Sequence, residues 1–342
     1  MIFRTEIEQL KRPYTIGYDS NIMMIGSCFT ENIGFWLKEN LFDIVFNPTG
    51  IMYNPVSVFE TLNRIMKNKE FTHENLFNHN GLYNSFYHHS RYSESDENVM
   101  LENINKDITE NHERLKRCNY LFVTLGTSWV FELNEECGEL KNAVDKDSYR
   151  RVVGNCHKLS DRLFTRRRLS VSEIVDLWSG FLVDLNKFNP DIKVIFTVSP
   201  IRHIKDTLHG NQISKSTLLI AIEELNENFE NIDYFPAYEI LMDDLRDYRF
   251  YASDMLHPSE TAINYIKEKF SEFYFSNETL MLQKECQKIS RALNHRPQNI
   301  HSKAYLDFLT QNIQKLELLI KKYNYITFKI PLKEFKHRLG QI

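Results

Sequence analysis

The sequence predicts an α/β protein with a doubly wound parallel sheet, and three observations indicate it. Short, continuously apolar segments recur along the chain as far as residue 235, as expected of strands that are covered on both faces. Stretches with helical apolar spacing lie between them, which allows successive strands to run parallel through helical crossovers. Beyond about residue 275 only helical periodicity remains.

Composition excludes several classes of protein. The chain has 342 residues, 42% of them apolar, which is enough for a large core. The net charge of −4 gives no indication of nucleic-acid binding, and we interpret the short basic runs at 166–168 and 321–322 as solvated faces. No apolar run has the length of a membrane span, and the amino terminus lacks a signal-peptide core.

Cysteine usage bears on the cellular compartment. The five cysteines are widely spread and contain no Cys-x-x-Cys pair, which favours reduced thiols over disulfides or a zinc site. We therefore expect a cytoplasmic protein without a metal or another cofactor. The oligomeric state is left open.

The first predicted strand, residues 22–25, ends at a Gly26–Ser27 turn that leads into an amphipathic helix reaching Leu41. The carboxyl ends of parallel strands face the crevice where open α/β sheets bind ligands, so a serine here is placed to act as a nucleophile. A serine in front of a helix is more often only its cap, and this segment alone favours the cap.

The remaining elements follow in order. Strands are predicted at 43–46, 120–125, 192–198 and 232–235, and helices at 56–67, 99–117, 172–188, 214–229 and 238–245. The polar, aromatic stretch at 70–100 is predicted to be either a loop or hairpin at the mouth of a site or an irregular surface excursion.

Two parts are expected. Residues 1–275 form the α/β domain, and residues 276–342 form a C-terminal helical extension packed on it. The extension is predicted to be a helical hairpin, 278–293 and 302–323, with a tail from residue 325.

A second stretch, residues 251–266, places a carboxylate and an imidazole in front of a helix. Pro258 suits the first helical turn, so His257 lies at the helix start. Asp254 can fold back, accept the Nδ1 proton of His257 and leave Nε2 free as a general base. Each residue alone is more often a cap, but a Gly-Ser turn after the first strand combined with Asp-x-x-His is rarer. The combination favours a catalytic triad with Ser27.

The motif Ile25-Gly26-Ser27-Cys28-Phe29 resembles the signature of the GSCFA family, within the SGNH/GDSL hydrolase superfamily. The similarity covers most of the chain, including residues 47–51, 126–129, 155–157, 199–203 and 254–258. It implies a three-layer α/β/α sandwich with a mostly parallel, flavodoxin-like sheet. It also implies that Ser27 is the nucleophile, His257 the base and Asp254 the residue that orients the base.

The resemblance further implies an oxyanion hole made by the Ser27 backbone N–H, a glycine N–H after the second strand and an asparagine side chain after the third. Gly50 fits the glycine. The third position departs from the family pattern, because a Gly-Thr-Ser sequence stands there without an asparagine. Thr127 or Ser128 could supply a hydroxyl instead, or Asn155 could supply its amide.

Two rival interpretations were weighed. Cys28 could be the nucleophile, since a helix start lowers the pKa of a thiol. Ser27 is favoured because it directly follows the glycine and because free cysteines are usually buried. A metal site is not indicated by the spacing of the loop histidines, namely His88, His89, His157 and His203.

Six side chains are predicted to bind substrate: His88, Trp129, Asn155, His157, Arg202 and His203. Arg202 and His203 follow a core strand and suit a polar or anionic ligand, although Arg202 could equally be an ion-paired scaffold residue. We expect a serine esterase acting on a small ester, with carbohydrate O-acetyl groups as the preferred class. The alternatives are an O-acyltransferase with the same triad and a non-catalytic module that binds a glycan or cell-wall fragment.

Overall fold

The structure is a computed structural model that describes residues 4–8, 12 and 14–340. Its strands are β1 (Asn21–Gly26), β2 (Asp43–Phe46), β3 (Phe77–His79), β4 (Leu82–Asn84), β5 (Tyr120–Leu125), β6 (Trp129–Leu133), β7 (Val152–Val153), β8 (Phe164–Arg168), β9 (Lys193–Val198) and β10 (Ile232–Tyr234). Its helices are α1 (Cys28–Glu39), α2 (Pro55–Met66), α3 (Glu97–Lys116), α4 (Val171–Phe188), α5 (Thr207–Asn228), α6 (Ala237–Glu239), α7 (Glu260–Tyr274), α8 (Asn277–Asn294), α9 (Lys303–Tyr323) and α10 (Lys329–Gly340).

A five-stranded sheet forms the centre of the α/β region. Its strand order is β10-β9-β5-β1-β2, and the pairs β10–β9, β9–β5 and β5–β1 are parallel. Numbered by their order along the chain, these five strands run 2-1-3-4-5, which is the flavodoxin-like arrangement. The predicted fold class is therefore confirmed.

The inner strands of this sheet are buried on both faces. Alternate residues such as Ile25, Val123 and Phe196 belong to a core that they share with residues of α2 to α5. The residues that alternate with them, such as Met24 and Phe122, face the other way and are equally buried. This two-sided burial explains why the strands are continuously apolar, and it makes the sheet the middle layer of an α/β/α sandwich.

The chain divides into two compact units. Among the described residues, the first comprises 4–8, 21–32 and 45–266, and the second comprises 12, 14–20, 33–44 and 267–340. The division reflects compactness alone, so the predicted boundary after residue 275 stays a prediction.

Three helices occupy the end of the second unit. Lys315 of α9 forms an ion pair with Glu285 of α8 at 2.6 Å, and Arg338 of α10 donates to the Leu293 carbonyl of α8 at 2.8 Å. The predicted helices α8 and α9 are present. The prediction of a tail from residue 325 was wrong. The residues from Lys329 onward form α10, in which Phe335 is completely buried.

A second sheet in the first unit was not predicted. β6 pairs antiparallel with β7 and with β8, so Trp129 begins a strand, and the basic run at 166–168 lies on its neighbour. The interpretation of that run as a solvated face was wrong for two of its members. Arg167 forms ion pairs with Glu132 and Glu173, and Arg166 pairs with Asp206.

Two helical regions also differ from the prediction. α5 begins at Thr207, seven residues before the predicted start. After β10 the chain makes one turn of α-helix, α6, and then a π-helical turn at Ile240–Asp244. Among the described residues, no helix is both long and apolar enough to cross a membrane.

Candidate active site

Ser27 lies at the turn between β1 and α1, at the carboxyl edge of the sheet. Gly26 has φ of +143°, and a Cβ at this position would overlap the Thr124 carbonyl of the neighbouring strand, so glycine is required. The Ser27 hydroxyl accepts a hydrogen bond from the Phe29 N–H at 3.3 Å, and the side chain is only 4% exposed. Ser27 therefore caps α1, and this position is compatible with either of its predicted roles.

The loop after β2 is bound to the end of β1. Asn47 accepts the Gly26 N–H through its side-chain oxygen at 2.9 Å, and Met52 donates to the Gly26 carbonyl at 3.0 Å. Gly50 has φ of +89° and donates its own N–H to the Asn47 carbonyl at 2.9 Å. This N–H is occupied in the present conformation, so it must exchange partners before it can bind an oxyanion.

The other predicted oxyanion donors are also occupied. The Ser27 N–H donates to the Thr124 carbonyl at 3.3 Å. Thr127 and Ser128 are buried, and their hydroxyls lie 2.9 and 3.1 Å from the hydroxyl of Ser214 on α5. Asn155 accepts the N–H of His157 in a local turn at 2.8 Å. The composition of the oxyanion hole thus stays a prediction.

Asp254 and His257 form the pair that their spacing predicts. The Asp254 carboxylate lies 2.6 Å from Nδ1 of His257, and its other oxygen accepts the backbone N–H groups of Leu256 at 2.9 Å and His257 at 3.0 Å. The His257 N–H, the Leu256 N–H and then the His257 ring lower the pKa of Asp254 to about 2. An ionised carboxylate at this distance favours the tautomer with the proton on Nδ1 and leaves Nε2 as an acceptor.

The loop that carries His257 is attached to the end of β9. Arg202, four residues beyond β9, donates its N–H to the Leu256 carbonyl at 3.3 Å. β9 and β1 flank β5 in the sheet, so Ser27 and His257 come to the same carboxyl edge. Within the described part of the chain, the Ser27 hydroxyl makes no hydrogen bond to the His257 ring. Such bonds are often long in the absence of substrate, and the triad stays a prediction.

The predicted substrate residues Arg202 and His203 lie beside this loop. Arg202 donates to the Tyr251 hydroxyl at 2.8 Å, and its guanidinium lies 4.2 Å from the centre of that ring. It makes no ion pair with any residue that the structure describes, so the scaffold ion pair considered above is not formed. Burial, followed by the charges of Lys215 and His257, lowers the pKa of His203 to about 4, so this imidazole is neutral near pH 7.

A cavity of about 420 Å³ opens beside Arg202. Its volume falls within the range that small-ligand sites occupy. The lining combines aromatic, amide and charged side chains, including Gln212, Tyr238, Arg246, Asp247, Tyr248 and Tyr251.

Other predicted substrate residues lie elsewhere. His88 and His157 are 1% and 7% exposed, because both bind Ser85 and pack against phenylalanine rings. Burial lowers the pKa of His88 to about 3. His88, which lies in the aromatic stretch at 70–100, is thus buried among core rings, and the substrate contacts predicted for His88 and His157 stay predictions. Trp129 packs against the Arg166 guanidinium at 4.3 Å. The described residues contain no group of three or more potential metal ligands.

The rival nucleophile Cys28 is half-buried at the start of α1. Burial raises the pKa of its thiol, and this effect exceeds the opposing effect of nearby backbone N–H groups. Cys28 is consequently protonated near neutral pH, which agrees with the preference for Ser27.

Lys215 of α5 was missed by the sequence analysis. Its side chain is fully buried, and its ammonium donates to the Gly126 and Ser199 carbonyls at 2.6 Å each. Lys215 shares a face with Leu218 and Ile222 at helical spacing, so a lysine within an apolar stripe was the available signal.

Comparisons with known proteins identify two matching sequence families. The model of the GSCFA family matches residues 21–270, and the model of the GSCFA domain protein, C-terminal domain, matches residues 286–341. No curated protein matches the chain.

Two solved structures show weak likeness. A protein provisionally assigned as a platelet activating factor from Streptococcus pneumonia is 13% identical, with a TM-score of 0.36, and the alignment covers 74% of this chain and 83% of the other. An acetyl xylan esterase from the rumen bacterium Butyrivibrio proteoclasticus is 12% identical, with a TM-score of 0.32, and the alignment covers 75% and 65%. Likeness at this level carries no conclusion about activity.

Proposed function

The chain belongs to the GSCFA family, and we propose that it is a serine esterase that forms an acyl-Ser27 intermediate on a small ester. The main support is the Asp254–His257 pair, whose carboxylate and Nδ1 lie 2.6 Å apart, together with the position of Ser27 directly after β1. A carboxylate that orients an imidazole needs only a hydroxyl within reach of Nε2 to form an acyl-transfer site.

The proposed reaction has two halves. Nε2 of His257 removes the Ser27 proton while Oγ attacks the ester carbonyl, and the tetrahedral oxyanion collapses to acyl-Ser27. The leaving alcohol takes the proton from His257. A water molecule then gives a proton to Nε2 and attacks the acyl group. As the bond from the acyl carbon to Oγ breaks, His257 returns this proton to Oγ, which releases the carboxylic acid and restores the serine. Asp254 stays ionised and stabilises the imidazolium in both halves.

For the substrate we propose an O-acetyl group on a carbohydrate. Ser27 is only 4% exposed, which favours a small acyl group over a long chain. The cavity beside Arg202 combines tyrosine rings with Gln212, arginines and Asp247, a mixture that suits a ligand rich in hydroxyl groups. The alcohol part of the ester would occupy this cavity.

Fluorophosphonate labelling followed by peptide mapping tests the proposal. The wild-type protein should be labelled at Ser27, because only an activated serine reacts with the probe. Ser27→Ala should abolish labelling and hydrolysis of an activated acetyl ester. Cys28→Ala, which changes the adjacent residue, should retain both.

Two results would contradict this proposal. An unlabelled wild-type protein would show that Ser27 is not activated and would favour a binding module. Labelling that persists in Ser27→Ala would place the nucleophile elsewhere.

A further inference from the structure

We infer that Lys215 is a positioning residue that ties the strand end beside Ser27 to the strand end that leads to His257. This inference rests on the proposed function only for the catalytic roles of Ser27 and His257. The tie itself, which consists of the two hydrogen bonds from Lys215 to these strand ends, does not depend on any catalytic role.

One ammonium group joins two strand ends. Gly126 directly follows β5, and two residues earlier the Thr124 carbonyl accepts the Ser27 N–H at 3.3 Å. Ser199 directly follows β9 and lies three residues before Arg202. Lys215 donates to the Gly126 and Ser199 carbonyls at 2.6 Å each, just beyond the last residues that β5 and β9 pair.

The second strand end continues to the base. Arg202 donates its N–H to the Leu256 carbonyl at 3.3 Å, and Leu256 immediately precedes His257. The contacts therefore run from Ser27 through β5 to Lys215, and from Lys215 through Ser199 and Arg202 to His257. A change at Lys215 alters the separation of the two halves of the site without touching either reacting group.

The cost of burying this lysine indicates that packing alone does not explain it. Its side chain is 0% exposed, and it has no ion-pair partner among the described residues. A buried ammonium that binds only neutral carbonyls is unfavourable compared with an apolar residue, and Leu218 and Ile222 occupy the same helix face. What the ammonium supplies is a pair of charge-assisted hydrogen bonds to the two strand ends.

Lys215 is also placed to respond to pH. The titratable groups facing it are Cys28 of α1, His203 after β9 and Tyr238 of α6, whose ring centre lies 5.9 Å from the ammonium. Burial raises the pKa of Cys28 and of Tyr238 and lowers that of His203 to about 4, so all three are neutral near pH 7.

The lysine itself titrates near neutrality. Burial lowers the pKa of Lys215 to about 7 because the ammonium is the form that desolvation disfavours. Raising the pH through 7 therefore removes the charge that strengthens both hydrogen bonds. The two hydrogen bonds of Lys215 should therefore be stronger at pH 6 than at pH 8.

Hydrogen–deuterium exchange of Lys215→Met tests the tie without requiring catalysis. Methionine keeps the length of the stem and removes the donors. We expect faster exchange in residues 199–203 and 252–258. The matched control is Thr217→Ala on the same helix. Among the residues that the structure describes, the Thr217 hydroxyl bonds only to the Ile213 carbonyl one turn earlier, so exchange in these segments should not change. Unchanged exchange in Lys215→Met would overturn the inference.

Two further measurements complete the test. In the wild-type protein, protection of residues 199–203 and 252–258 should fall between pH 6 and pH 8 beyond the intrinsic effect of pH. A constant protection would overturn the inference even if Lys215→Met fails to fold. In folded Lys215→Met, fluorophosphonate labelling of Ser27 should slow by about 10- to 100-fold, as expected for misplaced reacting groups, and an undiminished rate would contradict the role. A wild-type protein that is not labelled refutes the proposed function alone, because the exchange results do not depend on it.

Discussion

Replacing Asp254 by asparagine tests the proposed mechanism most directly. The Asp254 carboxylate makes three contacts, one to the His257 ring at 2.6 Å and two to backbone N–H groups at 2.9 and 3.0 Å. Asparagine can keep both backbone contacts through its carbonyl oxygen, but it presents an NH₂ group to Nδ1. The ring must then carry its proton on Nε2, where it cannot accept the proton of Ser27.

The expected loss follows from this tautomer change. Trapping the wrong tautomer of a catalytic histidine costs about 10⁴ in kcat in a comparable triad, which is about 5.4 kcal/mol of transition-state stabilisation. The assay is hydrolysis of an activated acetyl ester by Asp254→Asn, with the melting temperature recorded for the same samples. The melting temperature should stay close to that of the wild type because the backbone contacts remain.

Asp254→Ala is the control for the backbone contacts. It removes all three interactions, so it should lower both the activity and the melting temperature. If Asp254→Asn retains activity within tenfold of the wild type while its fold is intact, Asp254 does not set the tautomer and the proposed mechanism is refuted.

Two stability predictions concern positions described above. Gly26→Ala should lower the free energy of unfolding by about 2–4 kcal/mol, because the new Cβ overlaps the Thr124 carbonyl and φ is +143°. Denaturant unfolding measures this loss, and an alanine variant of wild-type stability would disprove the close approach of β1 and β5. His88→Ala should cost about 2–3 kcal/mol by leaving a cavity, while KM for the ester stays unchanged in steady-state kinetics. A raised KM without a loss of stability would instead indicate that His88 binds substrate.

The central sheet could be predicted because its signal is local and strong. A strand covered on both faces must be apolar at nearly every position, and Tyr120–Leu125 has this pattern with Thr124 as its one polar residue. The contact between Asp254 and His257 could equally be predicted, because a spacing of three residues in a turn lets the carboxylate reach Nδ1 of the imidazole. The position of Ser27 at a strand end follows from the same argument.

Features that depend on distant partners could not be predicted. Arg167 lies on a strand where Glu132 and Glu173 neutralise it, and Glu132 is 35 residues away in sequence. His88 lies in a segment with the composition of a surface loop, yet its ring is buried against the ring of Phe71, which belongs to an earlier part of the chain.

Two further misses have local causes. Lys215 was passed over because lysines are rarely buried, and its acceptors follow two separate strands. α10 was missed because Pro331 suggests a break, whereas it lies in the first helical turn, where its missing N–H has no intrahelical partner to lose.

The turn at residues 254–257 determines only one of two properties of the proposed site. These properties are the orientation of the imidazole and its distance from Ser27. Asp254 fixes the rotation of the imidazole within four consecutive residues, so this property should survive when the turn is moved as a unit. The gap between the imidazole and Ser27 depends instead on the sheet and on the anchor at Arg202. Changing the length of the connection after β9 should therefore alter the distance between the imidazole and Ser27 while leaving the orientation of the imidazole intact.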